Sequence, residues 1–146
     1  MLSKIIDGIC LELKTQFGDG YEIYPEAVRQ GLKEPCFFVQ LVRHKKTSHV
    51  GTKQVGKSYK LESSFCITFI PESTNKAMLE CCEAVDILQF GLEEITVDGD
   101  LVIGTDMHSE TVDNTLHFFV DYNMFVRQKN EVEPMEELKK NIGMKG

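Results

Sequence analysis

The residues with the most recognisable chemical spacing are Gly51-Thr52-Lys53-Gln54-Val55-Gly56-Lys57-Ser58, which match the pattern G-x-x-x-x-G-K-[ST]. In a phosphate-binding loop of that kind the backbone amides cradle a nucleotide's phosphates and the lysine reaches them. The chemistry also needs a helix directly after the loop, because the helix N-terminus holds the phosphate. Here Tyr59 to Phe69 alternates with period two and predicts a strand instead, so the letters match by coincidence. His44, His49, His108 and His117 form no H-E-x-x-H or similar metal spacing, and no cysteine stands at a zinc-like interval from them. Cys81-Cys82 would suggest redox chemistry, but neighbouring positions on a helix point about 100° apart, so one thiol should pack in the core and the other stay partly exposed. The carboxylates are scattered over wet faces with no pair held for acid–base work. No catalytic residue, cofactor-binding residue or metal ligand is expected, and no metal or nucleotide dependence.

A chain of 146 residues is the size of one domain, here expected to span 1–146, and buries roughly two thirds of its unfolded surface without needing staples. No apolar run approaches the ~20 residues that cross a bilayer. Met1-Leu2-Ser3-Lys4-Ile5-Ile6-Asp7 meets an acid too early for a signal peptide, so a soluble, unexported protein is expected. Cys10, Cys36, Cys66, Cys81 and Cys82 are odd in number, lack a C-x-x-C pair and lie mostly in apolar runs, which predicts reduced thiols packed as small hydrophobes. The net charge is −7, but residues 43–60 carry Arg43, Lys45, Lys46, Lys53, Lys57 and Lys60 with no acid, leaving −13 on the rest. Such asymmetry concerns partners and steering, not fold.

Leu2, Ile5, Ile6, Ile9, Leu13 and Phe17 recur at helical spacing until Gly18-Asp19-Gly20, predicting an amphipathic helix. Gly8 inside it either admits a close approach to a sheet or is a tolerated defect costing about 1 kcal/mol. Tyr21-Glu22-Ile23-Tyr24 predicts a short strand ended by Pro25, and Cys36 to Val42 a more buried one. Residues 45–57 then read as a long loop. In the strand from Tyr59, the inward set is Tyr59, Leu61, Phe65, Ile67 and Phe69, with Lys60, Glu62, Ser64 and Thr68 outward. After Pro71, Ser73 or Thr74 caps a second helix with a buried stripe of Ala77, Met78, Cys81, Val85 and Leu88, a wet face of Glu80, Glu83 and Asp86, and Gly91 at the left-handed C′ position. Asp98-Gly99 and Asp113-Asn114 are hairpin signals that make residues 92–127 a three-stranded meander. Pro134 near the start of 132–138 suggests a short C-terminal helix, and the tail beyond Asn141 reads as loose. The order is α+β: a largely antiparallel sheet with two main helices packed on one face and a short C-terminal helix.

The last strand is the most informative element. Leu116, Phe118, Val120, Tyr122, Met124 and Val126 alternate as a core face. The other face carries His117, Asp121, Asn123 and Arg127, but also Phe119 and Phe125, which a monomer would leave wet. Twelve residues at roughly 3.3 Å each would span about 40 Å, so the strand is bulged or projects past its own domain.

Three stretches carry a resemblance: Phe17-Gly18-Asp19-Gly20-Tyr21-Glu22-Ile23-Tyr24 continuing through Gln30 to Val39, then Leu116 to Arg127, then Pro134-Met135-Glu136-Glu137-Leu138. Together they resemble the small tail terminator proteins of phages and of prophage-derived contractile tails of Gram-positive bacteria. The resemblance implies a structural protein that caps the head-proximal end of the tail tube as a ring of six subunits, stops elongation and forms the docking surface for the neck. Implied partners are further copies of itself, the tail tube protein, and neck, collar or sheath proteins, with DNA passing through the ring and no membrane. The implied location is the virion tail or a phage-tail-like particle, assembled in the host bacterial cytoplasm. A cyclic ring needs head-to-tail contacts between two different patches, and Phe119 and Phe125 are candidates for one of them. The basic residues of 43–60 are expected to form a mobile loop that orders on an acidic partner surface, at the end of the tube or in the DNA channel. A rival reading is a nucleic-acid-binding or other small phage-encoded accessory protein acting through that loop, which however lacks interleaved aromatics apart from Tyr59.

Overall fold

The computed structural model describes residues 1–26, 31–49 and 57–128. In chain order its elements are α1 (Leu2–Phe17), β1 (Glu22–Tyr24), β2 (Cys36–His49), β3 (Lys57–Ile70), α2 (Ala77–Gly91), β4 (Glu94–Val97), β5 (Asp100–Val112) and β6 (Thr115–Gln128). The strands form one sheet in the order β1-β2-β3-β6-β5-β4. β1 lies parallel to β2, whereas β4 with β5 and β5 with β6 are antiparallel. This is the α+β class that the alternation of helical and strand periods predicts. The C-terminal helix expected over 132–138 and the tail from 141 lie outside the described residues.

Contacts divide the chain into two compact units: Met1–Lys45 with Glu62–Met124, and Lys46–Leu61 with Phe125–Gly146. The first holds both helices and a core in which Ile5, Ile9 and Leu13 of α1 join Phe37, Phe65, Phe69, Leu88, Phe118 and Tyr122. The second takes in residues 46–49 of β2, 57–61 of β3 and 125–128 of β6.

Both turn signals become tight hairpins. Asp98 and Gly99 adopt positive φ between the paired Val97 and Asp100, and Asp113 and Asn114 do so between Val112 and Thr115. Positive φ at both central residues gives a turn whose twist matches the strands it joins. The irregularity expected of the last strand falls on its partner: Asp106 and Met107 of β5 interrupt the register between Thr105 and His108, with Asp106 at φ 52°. β6 itself passes into the second unit at Phe125.

Close approach explains two glycines. A Cβ on Gly8 would lie 2.7 Å from the carbonyl oxygen of Thr96, so α1 is seated against the backbone of β4. A Cβ on Gly104 would lie 2.7 Å from the Leu92 carbonyl. That carbonyl, just past α2, accepts the buried Tyr122 hydroxyl at 2.6 Å, while the Gly104 amide donates to Glu93 at 2.7 Å. The end of α2 is thereby tied to β5 and β6. A strand glycine here serves backbone contact, and the tyrosine satisfies a polar group that would otherwise be buried at a cost.

Several local expectations are corrected. β2 runs on to His49 and β3 starts at Lys57, so 43–49 and 57–60 are strand and not loop; only 50–56 lie between them, outside the described residues. The alternation weakens after Val42 because neither face of β2 is apolar there, which removes the signal a strand search uses. On α2, Met78 is 72% exposed and Ala84 takes its place in the buried stripe with Ala77, Cys81 and Leu88. Gly91 is the last helical residue, and Leu92 follows it with φ −98°, so no left-handed cap forms. The helix begins at Ala77, one turn past Ser73, whose hydroxyl accepts the Lys76 amide at 3.2 Å. Thr68, expected outward, is only 6% exposed.

Candidate functional site

The side chains with chemical potential are paired off among themselves. On β3 and β6, Thr68 Oγ1 lies 3.4 Å from His117 Nδ1 and 3.7 Å from Cys66 Sγ, and the thiol is 3.9 Å from the same ring nitrogen. Burial pushes the Cys66 thiol's pKa up, the opposite of what a nucleophile needs. His44 Nδ1 sits 3.0 Å from the buried Ser63 Oγ across β2 and β3. His108 stacks on Phe119 with ring centroids 4.6 Å apart and planes 11° from parallel. Three of the four histidines thus serve sheet packing, and the side chain of His49 lies outside the described residues.

All five cysteines are free, with Cys36, Cys66 and Cys81 buried and Cys82 exposed, as adjacent helical positions require. Among the described residues no cluster of three or more histidine, cysteine or acidic side chains could hold a metal ion. An open groove of about 500 Å³ runs between α1 and β1, lined by Asp7, Cys10, Leu11, Lys14, Tyr21 and Glu22. Its thiol is held protonated, with burial first and the Asp7 carboxylate second pushing Cys10 up to about 11. Of the nucleotide-loop match, 51–56 lie outside the described residues, while Lys57 and Ser58 open β3 and lead into a strand.

The basic residues fall in a different setting from the one expected. Arg43, Lys45 and Lys46 stand on β2, Lys57 and Lys60 on β3, and Lys53 lies outside the described residues. Within the second unit, Lys46 Nζ sits 4.1 Å above the Tyr59 ring, and Lys60 Nζ is 5.8 Å from the centre of Phe125. These are cation–π distances, so the aromatic rings hold positive charge beside apolar surface. Phe125 is 76% exposed. Phe119, its companion on the same face of β6, is half-buried under the His108 stack.

The sequence pattern put Glu83 and Asp86 on the wet face of α2 but hid the apolar residues that share it. Met78, Leu79, Ile87 and Phe90 are exposed there, with Cys82, Glu83 and Asp86. The signal was present: 77, 81, 84 and 88 carry the buried stripe, and 79, 83, 86 and 90 repeat its spacing two residues on, about 200° around the helix.

This arrangement offers surfaces, with no assembled active site among the described residues. A family model described as phage tail terminator protein matches residues 4–134. The chain belongs to the phage tail terminator family. The match takes in α2, every strand of the sheet and all of α1 but Leu2 and Ser3. No curated protein matches the chain. As a tail terminator it is a structural component of a phage tail, located in the virion tail and associating with other tail components. None of this tail terminator's helices is long and apolar enough to cross a membrane, among the described residues.

Proposed function

We propose that this terminator caps the head-proximal end of the tail tube as a ring of six copies, stops tube elongation and presents the docking surface for the neck. The observation that carries the reading is Phe125: a large apolar ring, 76% exposed, beside the Lys60 ammonium on a long strand that enters a second compact unit. A large exposed phenylalanine gains a purpose at a subunit or tube contact. The same reading gives 43–60 an acidic protein surface to meet, assigns assembly to the host cytoplasm, and leaves a bore through which DNA passes.

The test is tube capping. Purified wild-type protein mixed with growing tail tube should yield tubes of fixed length ending in a ring by negative-stain microscopy. Phe125→Glu should yield overlong, uncapped tubes while its circular dichroism and melting stay those of the wild type. Equal capping by the variant would remove Phe125 from the interface, and unfolding of the variant would make it a core residue.

A further inference from the structure

Two segments of the chain carry charge of a single sign. Residues 43–60 hold six cations and no acid; residues 77–100 hold seven acids and no cation. The described part of the first segment lies on β2 and β3, the second on α2, β4 and the start of β5. Apolar surface is uncovered beside both, Phe125 of β6 near Lys60 in one case, and Leu79 and Phe90 on α2 in the other. On α2 the stripe Leu79, Glu83, Asp86, Phe90 places two acids between two apolar ends. Among the described residues neither Glu83 nor Asp86 has a hydrogen-bond or ion-pair partner.

We propose that the ring closes by seating the second unit of one copy, with Lys46, Lys60 and Phe125, on the outward stripe of α2 of the next copy. The inference rests on the ring reading above and names its two faces. Like patches repel: basic against basic or acidic against acidic costs energy, so the favoured contact joins unlike patches. A contact between two different patches is head-to-tail, and repeated around an axis it closes a ring. Phe90, at one end of the stripe, gives the incoming Phe125 a place to be desolvated, and Asp86 and Glu83, one and two turns back along α2, lie where the lysines beside that ring arrive.

Cys82, exposed on α2, is a native probe for the contact. Placing a second thiol on the other face with Ser58→Cys and treating the protein with a short bismaleimide should give a ladder of dimer, trimer and higher species up to the closed ring. The wild type, and Ser58→Cys combined with Cys82→Ser, should give no ladder. In a second arm, Glu83→Lys with Asp86→Lys should weaken association about tenfold, the worth of two exposed ion pairs. Adding Lys46→Glu and Lys60→Glu to the same chain should restore it. A product that stops at dimer would mean two-fold pairing and overturn the head-to-tail contact. An oligomer by sedimentation without any ladder, or a charge reversal without effect, would place the ring contact elsewhere and leave the ring itself standing. A monomer at every concentration, with tube ends present as well, would sink the ring reading and this inference together.

Discussion

The two helices of this terminator cover the same core with different chemistry. α1 buries Ile5, Ile9 and Leu13 around Gly8 and turns a mostly polar side outward, apart from Leu11. α2 buries Ala77, Cys81, Ala84 and Leu88, mostly small, and leaves Leu79 and Phe90 in solvent. A helix seated by large side chains exists for the monomer's stability. A helix seated by small ones lies close to its support and spends its large apolar groups on the outside, where the folded monomer gains nothing from them. Under the ring contact proposed above, α2 is also an interaction element, so substitutions on the two helices should separate stability from assembly.

The largest expected separation is between truncations of the two kinds of apolar residue. Ile9 is fully buried, and Ile9→Ala should cost about 2–5 kcal/mol of unfolding free energy, from lost transfer energy and the cavity left behind. Phe90 is 73% exposed, and Phe90→Ala should change stability by no more than about 0.5 kcal/mol. Urea unfolding of both variants gives the comparison directly. A Phe90→Ala loss as large as that of Ile9→Ala would make the outward face of α2 part of the monomer's core after all.

Next in size is the seat of α2. Ala84 is buried in a stripe of small residues, and Ala84→Leu should destabilise by about 1–3 kcal/mol because added methylenes must displace well-packed neighbours. The same enlargement at a solvent-facing helical position, Glu83→Leu, should leave the urea midpoint nearly unchanged. If both are tolerated equally, α2 does not approach its support as closely as its small residues suggest.

The sequence made α1 legible and α2 only half so, for a physical reason. Hydrophobic periodicity marks burial where buried residues are large and exposed ones polar, which holds for Ile5, Ile9 and Leu13. On α2 the order is reversed, and a search for large apolar residues put Met78 inside and overlooked Ala84. The same blindness hid the basic strands: from Arg43 to His49 no alternation remains, so strand and loop look alike. The hairpin turns were legible because Asp-Gly and Asp-Asn supply positive φ directly. The alternating face Leu116, Phe118, Val120 and Tyr122 was legible because that side of β6 is buried from Leu116 to Tyr122. The Tyr122 hydroxyl's bond to Leu92 joins positions 30 apart and leaves no local pattern. On the odd face of β6 Phe125 is exposed as expected but Phe119 is not, because the His108 stack that half-covers it depends on a register shift in β5 that no spacing announces.

A smaller effect sharpens the close seating of α1. Gly8→Ala raises intrinsic helix propensity by about 1 kcal/mol, but its Cβ would fall 2.7 Å from the Thr96 carbonyl oxygen. That neighbour is backbone, so α1 or β4 must shift, and a shift of packed elements costs about 1–3 kcal/mol. The net expected result is a loss of about 1 kcal/mol in urea unfolding. A gain in stability would show that α1 is free to lift from the sheet.

The smallest expected effect is a pH dependence that both helices share through one thiol each, the partly buried Cys10 and the buried Cys81. Cys10 on α1 and Cys81 on α2 are both pushed up in pKa, chiefly by burial, with Cys10 reaching about 11 from an ordinary 9.0. A raised pKa means the folded state holds its proton more tightly than the unfolded chain does. The unfolded state therefore binds fewer protons once pH passes 9, and stability falls with rising pH from there, most steeply between about 9 and 11. Below 9 both states keep the thiols protonated and these groups contribute no slope. Thermal melting under reducing conditions should be insensitive to the thiols from pH 7 to 8.5 and decline above pH 9. Cys10→Ala with Cys81→Ala should reduce that decline, the rest belonging to Cys36 and Cys66, whose pKa values burial also raises, whereas Cys82→Ala, on the exposed face, should leave it in place. An undiminished alkaline decline in the double variant would assign it to other groups, the buried Tyr122 hydroxyl first among them, since burial raises its pKa as well.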